Sequence, residues 1–193
     1  HIHTYRITPL SLWNAAASGI GATQVLEALE KYSRYEVPPL VISEVKEYIS
    51  RYGRLVLRER DGRFVLTSDD AQLLAMIVQQ KSCAKYFDGL ADEHTAWVPQ
   101  GARGWLKHAL VKIGFPVEDL AGYTAGAPLD VQLRNGTLEG KPFGLRRYQK
   151  LAGETFYAGG GPRGGSGVVV LPCGAGKTVV GMAAMSLVKA HTL

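Results

Sequence analysis

The chain has little cysteine, no long apolar run and no secretory start, and each absence removes a class of protein. Its two cysteines, Cys83 and Cys173, fit neither a CxxC motif nor the Cys/His spacing of a zinc site. Both are predicted to be free thiols in a reducing cytoplasm. No apolar run approaches the roughly 20 residues of a membrane helix, and no cationic segment precedes an apolar stretch at the start. Because the chain begins with histidine, it is expected to be an internal fragment of a cytoplasmic protein.

The net charge of +5 is unevenly distributed along the 193 residues. Residues 1–67 have nine Lys/Arg and seven Asp/Glu, residues 68–130 have five and eight, and residues 131–193 have eight and two. The positive excess therefore lies in the last third, where it suits a nucleotide as well as DNA. Net charge by itself supports DNA binding only weakly.

Residues 1–62 are predicted to form three short helices closed by a β-hairpin, a winged-helix-like arrangement. Thr8 is the predicted N-cap of the first helix and Gly19 its end, while Thr23 is the predicted N-cap of the second. A third helix follows a Pro-Pro pair, with apolar residues at helical spacing. The Asp-Gly pair at 61–62 lies between two alternating segments, which is typical of a hairpin turn.

Residues 63–134 have the pattern of a small α/β unit. A strand ending at Thr67 leads to a helix with Ser68 as predicted N-cap, and a second strand is predicted at Thr95–Val98. A helix over Arg103–Ile113 and a strand over Leu129–Leu133 complete the unit. The aromatic side chains in this region are interpreted as core residues, in preference to base-stacking groups, and they are Trp97, Trp105 and Phe115.

The segment LPCGAGKT, residues 171–178, has the composition of a phosphate-binding loop. It follows an apolar run over residues 167–171 that predicts a buried parallel strand, and it precedes an apolar helix. Glycines let backbone N–H groups approach phosphates, and the helix N-terminus adds a positive field. Lys177 is expected at the β/γ-phosphates and the Thr178 hydroxyl on Mg²⁺, which makes them the catalytic pair. The predicted binding residues of the loop are Pro172, Cys173, Gly174, Ala175, Gly176, Lys177 and Thr178.

The loop departs from the general G-x-x-x-x-G-K-[ST] pattern because Leu171 replaces the first glycine. This argues against a kinase, a GTPase or a transporter-type ATPase, and the strand-loop-helix context disfavours a glycine turn without a nucleotide. LPCGAGKT instead resembles motif I of superfamily 2 helicases. The upstream LRRYQ, residues 145–149, resembles the element whose glutamine reads adenine in superfamily 2 translocases, so Arg146 and Gln149 join the predicted ATP-binding residues. The alternative is an ordinary helix start with an exposed glutamine.

Within superfamily 2, the N-terminal residues resemble those of XPB helicases in particular. The segment KIGFPVEDLAGY, residues 112–123, is similar to the bacterial members of that family. The resemblance covers essentially the whole chain. It rests in the first module on His1, His3, Tyr5, Thr8, Tyr32, Ser33, Arg34, Val37, Pro38, Tyr52, Gly53 and Arg54.

This resemblance implies an ATP-driven 3′-to-5′ DNA helicase or translocase of nucleotide excision repair that uses Mg²⁺. It implies a mixed α+β and α/β chain of three parts. Residues 1–62 would be the helical N-terminal domain, residues 63–134 a damage-recognition-like domain, and residues 135–193 the beginning of a RecA-like helicase domain. DNA and a repair nuclease or another repair protein are the implied partners.

Within these 193 residues no Asp-Glu-x-His segment follows the loop and no arginine finger is expected, and phosphoryl transfer needs both. The chain alone is therefore expected to be inactive. A non-enzymatic adaptor that binds DNA or a protein partner is the alternative function, whereas an unrelated P-loop ATPase is disfavoured by Leu171. The arginines around the hairpin predict weak DNA binding, with a solvated strand edge as the alternative; they are Arg51, Arg54, Arg58, Arg60 and Arg63.

Overall fold

A computed structural model describes residues 6–124, 126–161, 164–165 and 167–191. The chain forms two compact units, His1–Ala121 and Gly122–Leu193. The resemblance residues His1, His3 and Tyr5 lie outside the described part, as do three residues of the glycine-rich segment 158–167. Among the described residues, no helix is both long and apolar enough to span a membrane.

Three helices open the first unit: α1 (Pro9–Ala17), α2 (Ala22–Tyr32) and α3 (Pro39–Arg51). Thr8 caps α1 as predicted, with its hydroxyl accepting a hydrogen bond from the Ser11 N–H at 3.1 Å. The prediction for α2 was wrong by two residues. Its N-cap is Gly21, whose N–H donates to the Gln24 side chain at 2.9 Å, so Thr23 lies inside the first turn.

A mixed five-stranded sheet follows, which confirms the mixed α/β class. Its strands are β1 (Val56–Arg60), β2 (Arg63–Thr67), β3 (Gly89–Asp92), β4 (Thr95–Val98) and β5 (Glu118–Asp119), in the order β3-β4-β2-β1-β5. β1 and β2 form the predicted hairpin, and β5 pairs in parallel with β1. The predicted boundary after residue 62 falls in the turn of this hairpin, and the three-domain division stays a prediction.

Two helices cover one face of the sheet: α4 (Ala71–Gln79) and α5 (Arg103–Lys112). The core between helices and sheet is aliphatic, and its fully buried side chains include Leu57, Leu66, Leu74, Ile77 and Leu110. Burying five such side chains stabilises the unit by roughly 1.5–3 kcal/mol each relative to exposure.

Two predictions about this region were wrong. The N-cap of α4 is Asp70, which accepts from the Leu73 N–H at 2.9 Å, whereas Ser68 accepts from the N–H of Asp70 itself. Residues 129–133 form no strand, and their neighbour Pro128 makes only an isolated bridge to Ala190. The sheet edge is instead occupied by β5.

The three aromatic residues differ in environment. Phe115 packs against the core as predicted. Trp97 is half-buried on the opposite face of the sheet from the core, with the Arg63 guanidinium 4.3 Å from its ring centroid. Trp105 is 65% exposed, so its assignment to the core was wrong. It lies on the solvent side of α5, whose inward positions are taken by aliphatic residues.

The second unit is built on two packed helices, α6 (Arg147–Tyr157) and α7 (Lys177–Val188). A Cβ placed on Gly153 of α6 would lie 3.3 Å from the Ala183 Cβ of α7, so a small residue permits this close approach. The predicted strand over residues 167–171 is absent. Val168 is 90% exposed and Val170 85% exposed, and no described segment pairs with them. An apolar run becomes a strand only when a partner satisfies its backbone groups.

Candidate functional site: the glycine-rich loop

The loop of residues 171–176 bends through two glycines into α7. Gly174 has φ +78° and Gly176 has φ +80°, a region that disfavours side chains with a Cβ. The Ala175 N–H donates to the Pro172 carbonyl at 3.3 Å, which closes a turn between them. Gly176 is the N-cap residue of α7, so the loop leads directly into the N-terminus of that helix, which is the positive end of the helix dipole.

Lys177 and Thr178 are the first two residues of α7, and both are exposed. The Lys177 ammonium donates to the Pro172 carbonyl at 3.3 Å, so it lies across the loop instead of extending into solvent. A cation, a hydroxyl and the first backbone N–H groups of α7 therefore lie at one helix end. This combination binds phosphate groups.

Gln149 of α6 is the residue that joins the upstream LRRYQ element to the loop. Its side chain is buried, with 6% exposure. The Oε1 atom accepts from the Arg146 N–H at 3.0 Å, and Nε2 donates to the Ala175 carbonyl at 3.0 Å. The structure thus brings together two sequence elements that lie 26 positions apart.

Tyr148 is a loop contact that sequence reasoning did not assign. Its hydroxyl donates to the same Ala175 carbonyl at 2.6 Å. The sequence shows that Tyr148 lies next to Gln149 at the start of α6. It does not show which group the Tyr148 hydroxyl contacts. Tyr148 also lines a cavity of about 440 Å³, whose other lining residues are Arg146, Leu171, Pro172, Cys173, Gly174 and Ala175.

For Mg²⁺ the site offers one oxygen ligand, the Thr178 hydroxyl. Nowhere in the described part of the chain do three His, Cys, Asp or Glu side chains gather as a protein-only metal site requires. Mg²⁺ commonly takes most of its ligands from substrate phosphates and water, so a single hydroxyl fits an ion that arrives with a nucleotide.

The five arginines around the hairpin separate into two groups. Arg51 donates to the Gly114 carbonyl at 3.1 Å and lies over the Phe115 ring, and Arg54 pairs with Asp70 at 2.7 Å. These two have structural contacts in the first unit.

The remaining arginines form what we call the arginine surface: Arg58, Arg60, Arg63 and the neighbouring Trp97. The cross-strand pairs Arg60↔Arg63 and Arg58↔Val65↔Trp97 place all four on the side of the sheet away from the core. Two ion pairs on this surface are long and exposed, Arg60–Asp61 at 3.9 Å and Arg63–Asp88 at 3.7 Å, so they contribute little to stability and leave both guanidinium groups accessible to solvent.

Comparison with known proteins finds that the chain is similar to proteins named as DNA helicases. Residues 1–88 match the family described as helicase conserved C-terminal domain. The DNA 3'-5' helicase XPB of Mycobacterium tuberculosis is 46% identical over all of this chain, which covers 34% of that relative. The protein of the same name from Kineococcus radiotolerans is 43% identical over all of this chain and 33% of its own length.

A more distant relative is the putative DNA 3'-5' helicase Rad25 of Halobacterium salinarum, 32% identical over 80% of this chain and 24% of its own length. The chain therefore spans about one third of the length of the bacterial relatives it matches. The resemblance to bacterial XPB helicases is confirmed.

Proposed function

Because the chain is homologous over its whole length to XPB-type DNA helicases, we propose that it carries the ATP-binding loop of an ATP-driven 3′-to-5′ DNA helicase of nucleotide excision repair. One observation carries this proposal. Gly174 and Gly176, both at positive φ, deliver the backbone to the N-terminus of α7 beside Lys177, while Gln149 contacts the loop from α6.

Each predicted site residue has a role in this proposal. The loop Pro172–Gly176 and the first turn of α7 would surround the phosphates of ATP. Lys177 would place its charge at the β/γ-phosphates, and Thr178 would give one ligand to the Mg²⁺ that neutralises them. Gln149 and Arg146 would face the base, since the amide of Gln149 can donate to and accept from the adenine edge.

The finer domain assignments belong to the same proposal. Helices α1–α3 would form the N-terminal module of the helicase, and the sheet with α4 and α5 would be its damage-recognition-like module. Residues 135–193 would begin a RecA-like domain, in which the exposed run Val168–Val170 would become a paired strand. A repair nuclease or another repair protein is the partner that this assignment favours.

A non-enzymatic adaptor is the second candidate, and the arginine surface favours it. Three exposed arginines on one sheet face can contact DNA phosphates without any nucleotide chemistry. The two candidates differ in one measurable property, since only the helicase needs a working nucleotide loop.

We expect residues 1–193 to bind ATP without hydrolysing it. These residues contain the loop and the side chains that contact it. They do not contain the Asp-Glu-x-His segment, no arginine finger is expected in them, and phosphoryl transfer needs both. Binding is measured by the fluorescence of a labelled ATP analogue, and hydrolysis by phosphate release with and without DNA. Phosphate release that survives repeated purification and disappears in Lys177→Ala would show that these residues hydrolyse ATP after all.

We expect residues 1–134 to bind duplex DNA weakly and with strong salt dependence. Residues 1–134 have 15 Lys/Arg and 15 Asp/Glu, so within this segment only a local arrangement such as the arginine surface can attract phosphates. The logarithm of affinity should fall with that of salt concentration by roughly 0.9 for each phosphate contacted. Fluorescence anisotropy of labelled duplex at low and moderate salt measures this slope.

The contribution of the arginine surface is isolated by changing Arg58, Arg60 and Arg63 together to alanine. The triple variant should have a shallower salt slope, and Arg34→Ala, an exposed arginine on the α2–α3 connection, is the matched control. Tight binding at moderate salt with a preference for damaged duplex would contradict the prediction of weak binding, because it would show lesion recognition by residues 1–134 alone.

A further inference from the structure

We propose that Tyr148 is a positioning residue for the nucleotide loop, and that its hydroxyl fixes the Ala175 peptide so that the loop presents its N–H groups to phosphates. The inference rests on the proposed nucleotide binding by this loop. It assigns to Tyr148 a task that differs from that of its neighbour Gln149, because Tyr148 would act on the phosphate end of any nucleotide.

The contact between Tyr148 and the loop is short and direct. Its hydroxyl lies 2.6 Å from the Ala175 carbonyl oxygen, at the lower end of the range for O–H···O hydrogen bonds. Tyr148 is the second residue of α6, a helix of 11 residues that packs closely on α7. The donor is therefore fixed to the same helix pair that carries the loop.

Ala175 is the position at which one hydrogen bond has the greatest effect on the loop. It lies between Gly174 and Gly176, the two residues whose backbones have the widest conformational freedom. Because a trans peptide is planar, its C=O and N–H groups point in opposite directions. Holding the Ala175 carbonyl towards α6 therefore directs the Gly176 N–H away from α6 and fixes its orientation for a ligand.

Gln149 donates to the same carbonyl and also makes a second hydrogen bond at the start of α6. Its Oε1 atom accepts from the Arg146 N–H, and its Nε2 atom lies 3.0 Å from the Ala175 carbonyl. A Cβ on Gly176 would come within 2.7 Å of Nε2, so the amide is closely enclosed. If Gln149 turns to the adenine edge, it releases Ala175, and Tyr148 remains as the donor that keeps the loop in place.

The test compares Tyr148→Phe with the unchanged 193-residue chain, since phenylalanine keeps the ring and removes only the hydroxyl. Three probes are used: a fluorescent ATP analogue, the corresponding GTP analogue, and inorganic tripolyphosphate as a competitor without a base. Loss of one hydrogen bond of about 1 kcal/mol predicts roughly fivefold weaker binding of all three probes. Gln149→Ala should instead weaken ATP relative to GTP.

Tyr157→Phe is the matched control, because Tyr157 ends the same helix and a Cβ placed on Gly160 would lie 3.0 Å from its hydroxyl, so its ring end is near Gly160. It should bind the three probes like the unchanged chain. The midpoint of urea unfolding, followed by circular dichroism, should be the same for both phenylalanine variants within a few tenths of a molar. An unchanged midpoint with weaker binding separates positioning of the loop from general destabilisation.

The remaining outcomes overturn the inference in distinguishable ways. Unchanged affinity of Tyr148→Phe for all probes would show that the hydroxyl does not position the loop. Loss of affinity for ATP alone would place Tyr148 at the base, and weaker binding that follows a lowered unfolding midpoint would make its role structural. If the unchanged chain bound none of the probes, the proposed nucleotide loop would itself be wrong, and the assignment of Tyr148 with it.

Discussion

Lys177→Ala is expected to abolish DNA-stimulated ATP hydrolysis in a complete helicase that carries residues 1–193. The Lys177 ammonium lies across the loop at the N-terminus of α7, 3.3 Å from the Pro172 carbonyl. During phosphoryl transfer it would stabilise negative charge on the β- and γ-phosphates, where no other described lysine or arginine of the loop is available. Removal of one such electrostatic contact costs roughly 10²–10³ in rate. Phosphate release with saturating DNA measures it.

The control for this prediction is Lys150→Ala, which removes an exposed lysine from α6. Its long contact with Glu154, 3.9 Å, is worth little, so the variant should hydrolyse ATP normally. Both variants should keep the circular dichroism of the unchanged protein, because Lys177 is exposed and, among the described residues, its ammonium donates to a single carbonyl, that of Pro172. A fully active Lys177→Ala would refute the assignment of this loop to ATP.

Elements governed by neighbouring residues were predictable from the sequence. The Thr8 cap, the start of α3 at the Pro38-Pro39 pair and the Asp-Gly hairpin all depend on interactions within a few positions. The errors at α2 and α4 have the same local character. Where two eligible capping residues lie only two positions apart, as Ser68 and Asp70 do, the sequence does not say which one the helix will use.

Elements governed by distant partners were not predictable. The run over residues 167–171 has the composition of a buried strand, but composition does not supply the neighbouring strand that must accept its hydrogen bonds. The edge strand β5 has only two residues, Glu118 and Asp119, and is defined by its pairing with β1. Trp105 likewise follows a core-like spacing, yet α5 turns it towards solvent.

The candidate site also combines residues that short sequence patterns predict with one whose contact depends on a distant partner. Lys177 and Gln149 were predictable as ATP-binding residues because each belongs to a short sequence pattern whose chemistry requires that residue type. Tyr148 belongs to the same LRRYQ pattern, but the role of its hydroxyl depends on a hydrogen bond to the Ala175 carbonyl, 27 positions later in the chain. A hydrogen-bond partner across such a separation depends on how α6 packs against α7, which the pattern does not contain.

A charged cluster at the edge of the sheet joins β5 to α5. The Asp119 carboxylate of β5 accepts two hydrogen bonds from Arg103, at 2.9 and 3.0 Å, and one from Lys107 at 2.8 Å. The Asp119 and Arg103 side chains are only 11% and 16% exposed. The cluster therefore fastens β5 to α5, and the Arg103 guanidinium also lies 5.1 Å from the Phe64 ring.

Burial raises the pKa of Asp119, but the hydrogen bonds and charges of Arg103 and Lys107 lower it more, so the pKa lies below its ordinary value. The unfolded chain therefore takes up the proton first as the pH falls. It follows that Asp119 contributes stability that is complete above the unfolded pKa of about 3.9 and is lost as the pH falls through the lower folded value.

Asp119→Ala should accordingly lower the free energy of unfolding by about 3 kcal/mol at pH 7, because it leaves two partly buried cations without their carboxylate. Urea unfolding followed by circular dichroism measures this difference, with Asp88→Asn as the control for a half-exposed carboxylate in a long ion pair. The difference between the unchanged chain and Asp119→Ala should stay constant from pH 7 to about pH 5 and narrow below about pH 4, as Asp119 becomes protonated in both states. A difference at pH 7 no larger than that of Asp88→Asn would contradict the prediction. It would mean that the attraction between Asp119 and its two cations only balances the cost of removing the three charges from water.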